Sequence, residues 1–243
     1  MNFKLLEAAK DFYFKDLATL KQLLQCPRAD VNTQEQPLCT ENIEFEKGCG
    51  RTPLYWSVEN NNLPMVRFLL EQPNINGREY GKMERLTGQL TPLMNACYDG
   101  RVDIVKLMLT YPTFTRQINE KSKDQKASTP LIYASLAGHQ EVVLVLLREA
   151  TINVNAQKSD GWTALHAAAS NGHVEIVSIL LRCNKTDINI KSASNKNAID
   201  AAKESREYYV SQQNTETVKE INDAIKLIES RAAGQTPPGD PTC

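Results

Sequence analysis

The 243-residue chain has no long apolar run. Nothing in it approaches the roughly 18 consecutive apolar residues of a membrane-spanning helix, so membrane insertion is not expected. Charge of one sign is missing too: 28 Lys and Arg stand against 29 Asp and Glu, a net charge of −1. Such a balance supplies no global field for nucleic acid. Histidine is scarce, at three residues (His139, His166, His173). The six cysteines (Cys26, Cys39, Cys49, Cys97, Cys183, Cys243) form no CxxC pair. That spacing indicates neither a zinc site nor a disulfide framework. Free thiols in a reducing, cytoplasmic compartment are therefore expected. No G-x-S-x-G, Walker or dinucleotide fingerprint occurs, and no serine has a histidine and carboxylate placed to activate it. No catalytic residue, metal ligand or cofactor is assigned, and an enzyme is not expected. The opening residues MNFKLLEAAKDF hold acidic side chains and no apolar core of signal-peptide length, so no secretion signal is read.

What the chain does have is repetition. The strings TPLYWSVENNNLPMVRFLL, TPLMNACYDGRVDIVKLML, TPLIYASLAGHQEVVLVLL and TALHAAASNGHVEIVSILL begin at Thr52, Thr91, Thr129 and Thr163. Their starts lie 39, 38 and 34 residues apart, yet the leucine of each triplet always stands 15 residues before the closing apolar pair. These pairs run Leu54 to Leu69, Leu93 to Met108, Leu131 to Leu146 and Leu165 to Leu180. A helix pair of fixed length is thus joined to the next by a connector of varying length.

Each element of the string has a physical reason. Threonine caps a helix N-terminus. Proline is tolerated at the first helical position, where its missing N–H has no intrahelical partner. Small residues follow at Ser57, Ala96, Ala134 and Ala168, where bulk would push helices apart. Gly100, Gly138 and Gly172 fall between the two helices, where a left-handed residue is predicted, and Asn61 takes that place in the first string. The second helices, such as Met65, Val66, Phe68, Leu69 and Leu70, are apolar over most of their circumference. A helix of that kind must be sandwiched, and one pair cannot bury its own surface; stacking can.

The triplet, the helix–turn–helix, the Gly-His turns at 138–139 and 172–173 and the asparagine-alanine after Val154 resemble the ankyrin repeat. The resemblance covers roughly residues 2–231 and is closest over 127–195. It implies an all-α, curved solenoid of about six stacked helix–turn–helix repeats, approximately 2–49, 50–88, 89–126, 127–160, 161–194 and 195–231, with two terminal capping repeats. Residues 232–243 (AAGQTPPGDPTC) are expected to form a disordered tail. The last capping helix is placed at 215–231, where Val218, Ile221, Ile225 and Ile228 form one apolar stripe. At the other end, LLEAA and LATLKQLL read as a degenerate first repeat.

The resemblance also implies what the chain is for: a protein–protein interaction module, an adaptor, scaffold or inhibitor, acting as a monomer. Its partner is a protein, and no nucleic acid is expected. A microbial or viral effector that acts on a protein of a host cytosol is compatible with the same binding mode, and an enzyme or its targeting part is the remote alternative. In this family the concave face and connector tips bind. The matching positions here are Arg51, Trp56, Glu59 and Asn60; Leu90, Asn95, Tyr98 and Asp99; Ser128, Tyr133 and Leu136; and Trp162, Ser170 and Asn171. Both tryptophans of the chain are among them, and Trp, Tyr and Arg dominate interface energetics. His166, in the TALH string, is expected to hydrogen-bond neighbouring loop backbone. Asn155 resembles ankyrin asparagines that an oxygenase hydroxylates. The long connectors 32–49, 74–90 and 113–128 are a second candidate surface, the first acidic and the third basic.

Overall fold

A computed structural model describes residues 52–77, the backbone of 81–82, and residues 89–234. The expected first repeat, the acidic connector 32–49, Arg51 and the tail beyond residue 234 lie outside the described residues. The described part is all-α but for one two-residue antiparallel ladder, and eight of its eleven helices fall on the four repeated strings. They divide between two compact units.

The first unit holds α1 (Pro53–Glu59), α2 (Leu63–Leu70), β1 (Gly81–Lys82), β2 (Gln89–Leu90), all but the last two residues of α3 (Pro92–Tyr98), α4 (Val102–Leu109) and α5 (Pro112–Thr115). Threonine starts its first helices as expected: Thr52 Oγ1 accepts from Tyr55 N at 3.2 Å, and Thr91 Oγ1 from Met94 N at 3.3 Å. Asn61 has φ of +53° and turns the chain into α2, whose cap is Asn62. The second helices α2 and α4 pack on one another. Their inward residues Val66, Leu69, Val105 and Met108 are fully buried. Burial of a side chain of this size is worth about 1.5–3 kcal/mol.

The described parts of two long connectors pack on one another in this unit. Gly81 and Lys82 pair with Leu90 and Gln89 in a short ladder within the connector 74–90. The next connector forms α5 and buries Phe114 completely. The Phe114 ring lies on Gly77, where an added Cβ would collide with it, so one connector seats the other.

The second unit holds the end of α3 with α6 (Pro130–Ala137), α7 (Gln140–Leu147), α8 (Ala164–Ser170), α9 (Val174–Arg182), α10 (Ala198–Ser211) and α11 (Thr215–Ala232). First helices stack on first helices, α6 on α8 on α10, and second on second, α7 on α9 on α11. Thr129 and Thr163 cap α6 and α8, while Asn197 caps α10 in a reciprocal box with Asp200. The turns at Gly100, Gly138 and Gly172 are left-handed, with φ of +70°, +82° and +76°.

The last helix pair breaks the pattern in length. α10 has 14 residues where α6 and α8 have 8 and 7, and α11 has 18. The apolar stripe read from the sequence is the buried face of α11, with Ile221, Ala224, Ile225 and Ile228 inside. The unforeseen part is α10, whose extra turns carry Tyr208 and Val210 into solvent at 62% and 57% exposure.

The cysteine reading is corrected at one position. Cys97 is a buried free thiol, but Cys183 is disulfide-bonded. Pairing depends on which residues the fold brings together, which spacing does not encode. Because disulfides persist in oxidising surroundings, the reducing compartment is not carried forward as a conclusion.

Candidate partner-binding groove

A groove of roughly 390 Å³ runs along the second unit between α8 and the extension of α10. Trp162, Ser170 and Asn171 form one wall and Glu204, Ser205, Tyr208 and Tyr209 the other. Trp162 sits in the connector just before the cap of α8, and Asn171 closes that helix. On α10, positions 204, 205, 208 and 209 recur at helical spacing, so four consecutive wall residues share one face.

Trp162 is held on several sides. Its backbone N donates to Asp160 Oδ1 at 3.0 Å, after the left-handed Gly161. Its ring tilts over His166 with centroids 6.1 Å apart. The Lys158 ammonium lies 5.2 Å from the ring centre and is ion-paired with Asp160. The opposite wall stands on α11: Lys203 pairs with Glu229 at 3.6 Å and Arg206 donates to Asn222 at 3.3 Å. Both cations of that stretch thus turn away from the groove. Glu204 faces it and meets Lys196 at 2.6 Å. Tyr208 and Tyr209 contact edge-to-face at 5.4 Å.

Ser170 is the odd member. It is 4% exposed and its Oγ has no hydrogen-bond partner. A buried hydroxyl left unpaired costs about 1–3 kcal/mol. Asn171 Nδ2 donates one of its two hydrogens to Ala167 O at 2.8 Å.

The three histidines serve the stack. His139 Nε2 donates to Tyr98 O at 2.8 Å, and His173 Nε2 to Leu136 O at 3.2 Å. His166 Nε2 donates to Lys196 O at 3.1 Å, so its Nδ1 accepts, with Thr163 Oγ1 2.9 Å away. That is the loop-bonding role expected of the TALH histidine. Burial pushes the His166 pKa down, against the opposing pull of the Lys196 carbonyl and Asp160. Burial likewise holds the Cys97 thiol far above its ordinary range, which leaves it protonated and unreactive. Among the described residues no three His, Cys, Asp or Glu side chains group as a metal site, and no helix is long and apolar enough to cross a membrane.

The other positions expected at a binding face are dispersed. In the first unit Trp56, Glu59 and Asn60 are half-buried. In the second, Tyr98, Asp99 and Leu136 are half-buried, and Tyr98 meets Tyr133 edge-to-face at 6.0 Å. Leu90, Asn95, Ser128, Tyr133 and Ser170, also expected at the binding face, are buried, with exposures of 0%, 0%, 2%, 1% and 4%. On helices of seven or eight residues, neighbouring elements cover most of the circumference, and only the rim stays open. Asn155 is committed to the next loop, its Nδ2 donating to Lys185 O at 2.7 Å and its Oδ1 accepting from Asp187 N at 3.0 Å. Sequence reasoning missed Glu204, Ser205, Tyr208 and Tyr209. The only signal was the 12-residue gap between NAIDAA and the capping helix placed from Thr215.

Comparison with known proteins agrees with the repeated fold. A family model described as ankyrin repeats (3 copies) matches residues 5–121, 79–158, 113–192 and 151–221. The chain belongs to the ankyrin-repeat family. One curated relative is the transient receptor potential cation channel subfamily A member 1 of Drosophila melanogaster, 29% identical over 145 residues, or 54% of this chain and 12% of that protein. Alpha-latrocrustotoxin-Lt1a of Latrodectus tredecimguttatus is 30% identical over 141 residues, 56% of this chain and 9% of the toxin. The ankyrin chain therefore matches only a small part of these long relatives. A solved ankyrin-repeat protein superposes with a TM-score of 0.68 at 23% identity, covering 98% of this chain and 99% of its own. At that identity the likeness shows the fold. Ankyrin repeats are in general protein–protein interaction modules, and this chain has that architecture.

Proposed function

We propose that this ankyrin-repeat protein is a binding module, an adaptor or inhibitor, whose second unit takes a segment of a partner protein in the Trp162 groove. One observation carries the reading: a fixed tryptophan faces an exposed tyrosine, Tyr208, across the groove. Aromatic anchors that are already ordered lose little entropy on binding. Six repeats with capping ends remain the proposed organisation of the chain.

Affinity capture with the whole chain, compared with Tyr208→Ala, tests the reading. Tyr208 is largely exposed, so its loss is expected to leave the unfolding midpoint unchanged while the captured partner is lost or strongly depleted. Equal capture by both proteins would move the binding surface elsewhere.

A further inference from the structure

The chemistry of the groove says which kind of side chain it receives. The lining offers acceptors in the Glu204 carboxylate, Asn171 Oδ1 and the Ser205 hydroxyl. Its donors other than hydroxyls are neutral: the Trp162 indole N–H and the Asn171 amide, one hydrogen of which already bonds Ala167 O. The nearby cations Lys203 and Arg206 are engaged with α11. Among the seven lining residues Glu204 alone is charged. Beside it Glu207, exposed on the same extension, has no ion-pair partner among the described residues. Three of the seven are aromatic, and their faces attract cations. Trp162 already shows this with Lys158 over its ring.

A guest for such a site is cationic, planar and made of donors. Guanidinium fits: it has five N–H donors and no acceptor, stacks on aromatic rings, and pairs with carboxylate through two parallel bonds. An anionic guest finds no free cation in the lining. A lysine ammonium fits the charge but does not stack.

We propose that the groove is a subsite for an arginine side chain of an extended partner segment. The guanidinium stacks between Trp162 and the Tyr208–Tyr209 pair. It bonds to Glu204, displacing part of the exposed Lys196 contact. An exposed ion pair of the Lys196–Glu204 kind is weak, so its displacement does not oppose binding strongly. The inference rests on the reading that the groove binds protein.

The test is selection from a random peptide library displayed on phage, against the whole chain, with Tyr208→Ala, Trp162→Ala and Glu204→Gln as counter-targets. The expected result is enrichment of peptides sharing one arginine. Their binding falls by about tenfold with Glu204→Gln and with replacement of that arginine by its neutral analogue citrulline, and weakens as salt is raised. Tyr208→Ala, at an exposed position, keeps the test intact if Trp162→Ala unfolds. Groove-dependent peptides without a shared basic residue would overturn the arginine subsite and leave the binding reading standing. A proline-rich consensus like the chain's own TPPGDP (236–241) would do the same and point to that segment as occupant. Failure to enrich any peptide whose binding depends on Tyr208 or Trp162 would overturn both.

Discussion

The imidazole of His139 lies directly on Gly100. A Cβ placed on that glycine would stand 2.5 Å from His139 Nδ1, while the same ring donates to the carbonyl of Tyr98 at 2.8 Å. The glycine of one turn thus makes room for the histidine of the next. His173 over Gly138 repeats the arrangement, and at the end of the stack Glu220 of α11 takes the place over Gly172. Each turn is keyed to its successor, so the repeats fold as a coupled array.

Gly100→Ala tests the coupling. The left-handed φ and the clash are expected to cost about 1–3 kcal/mol together in chemical denaturation. Adding His139→Ala should recover the steric part and leave the backbone strain. Strict additivity of the two losses would show that the ring and the glycine are not coupled.

The helix–turn–helix that carries this keying was legible in the sequence because it recurs: the constant spacing from Leu54 to Leu69 and from Leu165 to Leu180 marks two helices of fixed length around one turn. The contact of histidine with the preceding glycine was not. The capping stripe from Val218 to Ile228 was legible for the same reason. The groove was only half legible. Trp162, Ser170 and Asn171 occupy repeat positions, but their opposing wall is an extension that occurs once, so no periodicity announces it. Burial of Leu90, Asn95 and Tyr133 is set by neighbouring elements, and a single string carries no record of them. The disulfide of Cys183 escaped notice because it is a property of proximity.

Acid should loosen the second unit through His166. Burial lowers its folded-state pKa, with Asp160 and Lys158 nearby pulling in opposite directions. A depressed histidine contributes stability that is fully present above its ordinary value of about 6.5 and lost as pH falls through the folded value. Unfolding midpoints measured across that range are expected to drop with acid in the native chain and to drop less in His166→Gln. Equal slopes would mean that His166 does not drive the effect.

Asn155 ties the loop after α7 to the loop after α9 through both ends of its amide. Asn155→Ala is expected to cost about 1–2 kcal/mol, measured by denaturation, as two hydrogen bonds are lost. The likeness to hydroxylated ankyrin asparagines carries its own check. Treatment with an asparaginyl oxygenase that adds one oxygen at residue 155 would support it, and an unchanged intact mass would remove it.

Ser170→Ala separates stability from binding. Because Ser170 Oγ is buried and unpaired, its removal is expected to leave stability unchanged or raise it by up to about 1 kcal/mol. Affinity for arginine-bearing peptides should be unchanged in the same protein, because the buried oxygen is out of a guest's reach. A loss of stability would show that the hydroxyl holds the fold.

Hydrogen exchange on the whole chain, with and without its captured partner, addresses the groove most directly. Protection is expected to concentrate at Trp162–Asn171 and Glu204–Tyr209, the two walls, and to vanish with Tyr208→Ala. Protection confined to other helices, with both walls exchanging as in the free protein, would contradict the assignment of this groove as the binding site.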